Sequence, residues 1–174
     1  MGVLRQVMCA GIVLAMCAPA QADVSAETER SSYFLVHSVT LDDLQLLLND
    51  LGATFMAAGE NAEGEPFIFG QMPNGLTFGA YTVCAGADGR DCRGVEFMAV
   101  YSSRASVAEV MDIDRDYAAI SLYKADDNTV HVSRYVILDN GVTWANLIEN
   151  ANVFHLLCGK VSERLQAFPQ DAPQ

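Results

Sequence analysis

Basic residues are scarce in this chain. Lysine and arginine together number 10 against 22 aspartates and glutamates, a formal net charge of −12 over 174 residues. A nucleic-acid binder needs cations to displace counterions from phosphates, so the deficit argues against that class and equally against an anionic membrane surface. Long apolar runs are missing beyond the N-terminus, which leaves no segment suited to span a bilayer. No G-x-S-x-G elbow, H-E-x-x-H pair, phosphate loop or dinucleotide fingerprint occurs. The histidines are His37, His131 and His155, isolated from one another and without carboxylates at ligand spacing, so metal-assisted hydrolysis has no support. What is present is apolar. Hydrophobic residues make up 51% and charged residues 18%, at a length that suits one domain with a substantial core.

Residues 1–22 read as a secretory signal peptide. Arg5 gives the positive start, Val7 to Ala18 is apolar, and Ala20-Gln21-Ala22 supplies the small-x-small cleavage pattern. A buried core helix is the alternative for the same run. Leu14-Ala15-Met16-Cys17 also loosely resembles a lipobox, although Met16 is bulky where Gly, Ala or Ser is called for, so Cys17 is a weak lipid-anchor candidate. Cleavage after Ala22 removes Arg5 and no acid, taking the formal charge from −12 to −13. The mature chain is expected to be soluble, periplasmic or secreted, and not held in a membrane.

Export decides how the remaining cysteines are read. Cys84 and Cys92 flank Ala-Gly-Ala-Asp-Gly-Arg-Asp, a stretch of turn formers between two strand-like runs. In an oxidising compartment they are expected to form a disulfide closing a hairpin loop, contributing roughly 2–3 kcal/mol. A zinc or redox site is the alternative, but the spacing is not C-x-x-C and further ligands are lacking near by. Cys158 falls on an apolar helical stripe and reads as a core thiol.

Apolar periodicity outlines the rest. Asp23–Arg30 reads as a frayed start, and residues 23–39 as an N-terminal extension ahead of a single domain over 40–167. Thr40 caps a helix whose first turn holds Asp42 and Asp43, with Leu44, Leu47, Leu48 and Leu51 along it and Gly52 at its end. Strands are expected at Ala53–Ala58, Pro66–Gln71, Leu76–Cys84 and Val95–Tyr101, with a tight turn at Pro73-Asn74-Gly75. A second helix covers Ser106–Asp116, two strands follow at Tyr117–Lys124 and Thr129–Leu138, and Val142–Gln166 makes a long amphipathic helix. Residues 168–174 form a loose tail. The order predicts an α+β domain with a largely antiparallel sheet packed with helices.

The helix ending at Leu51-Gly52, the Pro66-Phe67-Ile68 strand, the Cys84 and Cys92 pair before Val95-Glu96-Phe97, and the Gly141-Val142-Thr143 step into the last helix resemble the YbjN-type family of bacterial sensory-transduction regulators. The resemblance runs from about Thr40 to Leu165. It implies a fold like that of type III secretion chaperones and no active site to transfer. Where the family carries an asparagine-rich, tryptophan-containing helix end leading into an Arg-Phe strand start, this chain has Asp112, Asp114, Arg115 and Tyr117.

Other chemistry is thinly represented. Asp112, Asp114 and Asp116 alternate as in a calcium loop, but Tyr117 and Tyr123 stand where an EF-hand needs Gly and Glu. A solvated acid cluster at a helix end is the simpler reading, with weak cation binding as the alternative. Asp88 and Asp91 are explained by turn formation. No catalytic residue, cofactor site or metal site is assigned. The expected function is that of an exported, non-enzymatic interaction or regulatory module of the YbjN type, binding a protein partner or forming a homodimer. The alternative is a periplasmic small-molecule binder or hydrolase with a pocket between sheet and helices, lined by Tyr81, Phe97, Tyr101, Tyr117 and Trp144. Mass mapping without reduction is expected to join Cys84 to Cys92 and leave Cys158 a thiol; a peptide linking Cys158 to either would overturn that pairing.

Overall fold

A computed structural model describes residues 32–86 and 89–168. The signal-peptide segment with Cys17, the loop residue Asp88 and residues 169–174 lie outside the described residues. The chain is an α+β structure with a six-stranded antiparallel sheet, a second sheet of two short strands, and three helices. In chain order the elements are β1 (Leu35–Val36), α1 (Leu41–Asp50), β2 (Thr54–Glu60), β3 (Pro66–Gln71), β4 (Thr77–Cys84), β5 (Cys92–Ser102), α2 (Val107–Arg115), β6 (Ser121–Lys124), β7 (Thr129–Ile137), β8 (Val142–Thr143) and α3 (Trp144–Leu165).

Each helix begins on the residue type its first turn requires. The Thr40 hydroxyl accepts from Asp43 N while Asp43 accepts from Thr40 N, and Ser106 and Glu109 repeat the arrangement at α2. Such reciprocal capping satisfies amides that the helix itself leaves unpaired. Thr143 caps α3, whose residues Trp144, Leu147, Ala151, Phe154, Cys158, Val161 and Leu165 recur three and four apart and are all buried. Gly52 at φ +65° ends α1, the left-handed conformation a glycine adopts without a Cβ clash.

The large sheet runs in the order β2-β3-β4-β5-β7-β6, each neighbour antiparallel. β2 to β5 form a meander. The chain then crosses through α2 to the edge strand β6 and turns back as β7 beside β5. A cross-strand pair shows that α1 and α3 cover the same face. Leu48 of α1 lies where a Cβ on Gly70 would be, Gly70 pairs with Phe78, and Phe154 of α3 packs on Phe78 and Phe97 with ring centroids 6.3 and 5.9 Å apart. α2 borders β6, where Leu122 N donates to Asp114 at 2.8 Å, and Arg164 of α3 pairs with Asp116 at its end.

The structure departs from the sequence pattern at three element starts. Val142 and Thr143 are not helical; they pair with Val36 and Leu35, and Val36 and Val39 enter the core. A two-residue strand carries no periodicity to detect. The strand expected from Tyr117 begins at Ser121, because Tyr117 N and Ile120 N bond to the Asp114 and Tyr117 carbonyls and hold a turn there. β5 begins at Cys92 instead of Val95.

Truncating Phe154 to Ala is expected to cost about 3–5 kcal/mol, the range for a buried aromatic. Leu156→Ala, at a position 63% exposed on the outer side of the same helix, is expected to stay within about 0.5 kcal/mol. Denaturant titration of both variants checks the assignment of helix faces.

Candidate functional site

The face of the large sheet opposite α1 and α3 carries no helix among the described residues. Alternation along the strands decides what stands on it. In β5, Val95, Phe97 and Ala99 point into the core, so Glu96, Met98 and Val100 point out. Cross-strand pairing extends this face outward: Glu96 is opposite Tyr81 and Tyr135, Met98 is opposite Gly79 and Ser133, and Val100 is opposite His131. On β3, Phe67 and Phe69 belong to it, with Ala57 and Gly59 beside them on β2.

This face mixes apolar side chains with neutral polar ones, among them Gln71, Thr77, Ser121 and Ser133, and carries little charge. Val83, Val100, Tyr123, Tyr135 and Ile137 are each 44–61% exposed. Among the described strand residues on it, Glu96 is the one carboxylate, and none is lysine or arginine. Phe67, Phe69 and Tyr81 form a three-ring cluster with centroid separations of 5.5, 5.7 and 5.9 Å. Burial, and after it the Glu96 carboxylate, raise the Tyr81 phenol above its ordinary pKa. At the other end Tyr123 stacks on His131 with centroids 4.5 Å apart. The Thr129 hydroxyl donates to Asp127 at 2.6 Å, so it accepts from His131 Nε2 and leaves Nδ1 to accept from the Tyr123 hydroxyl.

Three glycines set the relief of the surface. A Cβ on Gly59 would sit 2.8 Å from the Phe67 ring, one on Gly79 2.5 Å from the Tyr81 ring, and one on Gly94 would run into the Tyr135 hydroxyl. The Phe67 ring therefore lies over β2, the Tyr81 ring along β4 and the Tyr135 ring over β5, while the Phe69 ring is inclined at 70° to Phe67 and 89° to Tyr81.

The sequence candidates fall elsewhere. Cys84 and Cys92 are disulfide-bonded at the base of the β4–β5 loop. Cys158 is free and buried in α3, and its carbonyl accepts from the Tyr101 hydroxyl at 3.1 Å. Burial pushes the Cys158 thiol up to about 12 and raises the Tyr101 phenol as well. Asp112, Asp114 and Asp116 are each engaged separately, with Arg115, the Leu122 amide and Arg164. No group of three or more metal-type ligands gathers among the described residues. Of the aromatics expected to line a pocket, Phe97 and Trp144 are fully buried, Tyr101 and Tyr117 pack half-buried against the core, and Tyr81 stands on the opposite face. The Trp144 indole donates to Asp50 at 2.6 Å, tying α3 to the end of α1.

One polar hollow of about 450 Å³ lies beside the cysteine loop, lined by His37, Asp91, Arg93, Asp139 and Asn140. Arg93 reaches Asp91 at 2.6 Å and Asp139 at 3.7 Å, and all three side chains are about half exposed. The Arg93 hydrogen bond holds the Asp91 carboxyl below its ordinary range. These ions satisfy one another, and the lining holds neither serine nor a free cysteine as nucleophile.

Comparison with protein-family models, with curated proteins and with solved structures finds no match to this chain. No helix among the described residues is long and apolar enough to cross a membrane.

The burial of Cys158 gives two expectations. Iodoacetamide at pH 8 is expected to spare it in the folded chain and modify it in denaturant. Because the folded thiol titrates near 12 and an ordinary one at 9.0, the unfolded chain releases its proton first. This contribution to stability is intact below 9 and falls as pH rises toward about 12. Denaturant melts across that window check the sign, after correction for other titrating groups by a Cys158→Ala control.

Proposed function

We propose that the chain is an exported, non-enzymatic interaction module of the YbjN type, and that it works through the open face of its sheet. The observation that carries this reading is a sheet face left without a helix, with exposed aromatic and aliphatic side chains and one carboxylate among its described strand residues, on a strongly acidic protein. Soluble domains rarely expose such a patch unless something covers it. Aromatic residues and methionine are also the side chains most enriched in protein interfaces, and carboxylates and lysine the most depleted. The disulfide between Cys84 and Cys92 fits an oxidising compartment, which agrees with a leader at residues 1–22 and a periplasmic or secreted product. The competing reading, a small-molecule binder or hydrolase, would use the polar hollow at His37, Asp91 and Arg93. Its ions are mutually paired and half exposed, which suits a surface network better than a catalytic group.

A photo-crosslinking residue at Val100 tests the proposal in the compartment where the protein resides, with the same residue at Leu156 as control. Light-dependent adducts to protein at position 100, absent at 156, are expected. Equal yields at both positions, or no protein adduct at 100, would remove the reading.

A further inference from the structure

We infer that the outer edge of β2, with the groove between it and α1, is a docking site for an extended segment of another polypeptide, apolar at alternate positions and basic at its N-terminal end. The site lies at the edge of the sheet, apart from the open face, and does not depend on that face being an interface.

The two edges of the large sheet differ. β6 is four residues long, ends on Lys124 and is bordered by α2 through the Leu122–Asp114 bond. Short length, a lysine and a bordering element are the usual protections of a sheet edge. β2 has seven residues, all exposed except Gly59, and no described strand pairs with its outer side. The bulge between Phe55 and Ala57 lies near its start and leaves Ala57–Glu60 in regular register with β3. That register fixes which backbone groups face outward. Asn61 N donates to Glu65 O in continuation of the ladder. Gly59 and Ala57 therefore bond to β3, and the amides and carbonyls of Ala58 and Glu60 point away from it. Pro66, opposite Glu60, has no N–H to offer. Outward groups two residues apart are the pattern that an added strand completes.

Side-chain hollows accompany this edge. Phe55 and Ala58 stand opposite Gly70 and Ile68, on the side of the sheet that α1 covers. Beside Phe55 lies a hollow of about 310 Å³ bounded by Gln45, Leu48 and Asn49 of α1. Beside Ala58 lies one of about 450 Å³ bounded by Leu41, Glu60 and Pro66. Gly70 and Ile68 are two residues apart, so alternate side chains of an added strand, about 7 Å apart, reach one hollow each.

Charge names the occupant. From Ser31 to Gly89, a stretch that holds α1, β2, β3 and β4, the chain has no lysine or arginine. Glu60 and Glu63 are exposed at the end of β2, and the hollow shared by Leu41 and Glu60 brings the start of α1, with exposed Asp42, to the same end. An antiparallel strand places its N-terminal end there, which is where lysine or arginine is called for. A second copy would meet this edge with the same acidic, base-free segment, and repulsion opposes that pairing.

Isothermal titration of the protein purified after export tests this with the peptide Lys-Lys-Val-Thr-Val-Thr-Val and its counterpart with glutamates for the lysines. The lysine peptide is expected to bind saturably and at least about tenfold more tightly than the other. Ala58→Pro removes an amide that bonds nothing within the sheet; it is expected to keep the circular dichroism of wild type and to bind at least about tenfold more weakly. Glu60→Lys combined with Glu63→Lys is expected to reverse the preference between the peptides. In wild type, hydrogen exchange at the Ala58 and Glu60 amides is expected to slow when the lysine peptide is added. No saturable binding up to about 1 mM, equal binding of the two peptides, binding that a folded Ala58→Pro leaves intact, or unchanged exchange at both amides would each overturn the inference.

Discussion

A sheet has two faces, and in this chain α1 and α3 both go to the same one. That asymmetry follows from the packing around Phe154, which sits on Phe78 and Phe97 and anchors a 22-residue helix to the two central strands. α1 joins it through Leu48 over Gly70, and the Trp144 indole bonded to Asp50 links the two helices. The buried side becomes a single continuous core, from Val36 at one end to Leu165 at the other. Every apolar residue of opposite parity in β3, β4, β5 and β7 is then left outside it. The open face is a direct consequence of where the helices pack.

Much of the buried side was legible in the sequence. The cap at Thr40, the Pro73-Asn74-Gly75 turn and the three-and-four spacing along α3 are local signals, and local signals determine helices and hairpins. The cysteine pair was legible because two strand-like runs flank a short loop of turn formers. Pairings between distant segments left no local trace. β1 and β8 are two residues each and are defined by one another across the whole domain. The turn through Tyr117 and Ile120 is itself the apolar run Tyr117-Ala118-Ala119-Ile120, so nothing in the pattern marks where β6 begins. The open face was partly visible. Val95-Glu96-Phe97-Met98-Ala99-Val100-Tyr101 is apolar at both parities except for Glu96, a sign that its second face is not an ordinary solvated one. Alternation alone assigns only one parity to the core and leaves Met98 and Val100 without a role.

The acidic character is carried by loops and helix surfaces. Arg93 with Asp91 and Asp139, Arg115 with Asp112, and Arg164 with Asp116 use three of the few arginines to hold acids locally. Exposed pairs of this kind contribute little to stability. What they do is divide the Asp112, Asp114 and Asp116 run among separate partners, which removes the resemblance to a cation loop. Glu63, Glu65, Asp126, Asp127 and Asp139 lie in loops at the strand ends, away from the middle of the open face.

The most direct measurement of whether that centre is a working surface is the rate of Met98 oxidation by peroxide as an extract of exported proteins is titrated in, read against Met111 in the same chain. Met98 lies at the middle of the open face, and Met111 is 52% exposed on α2. Covering of the face is expected to protect Met98 progressively while Met111 oxidises at a constant rate. A Met98 rate that the extract leaves unchanged relative to Met111 would contradict it.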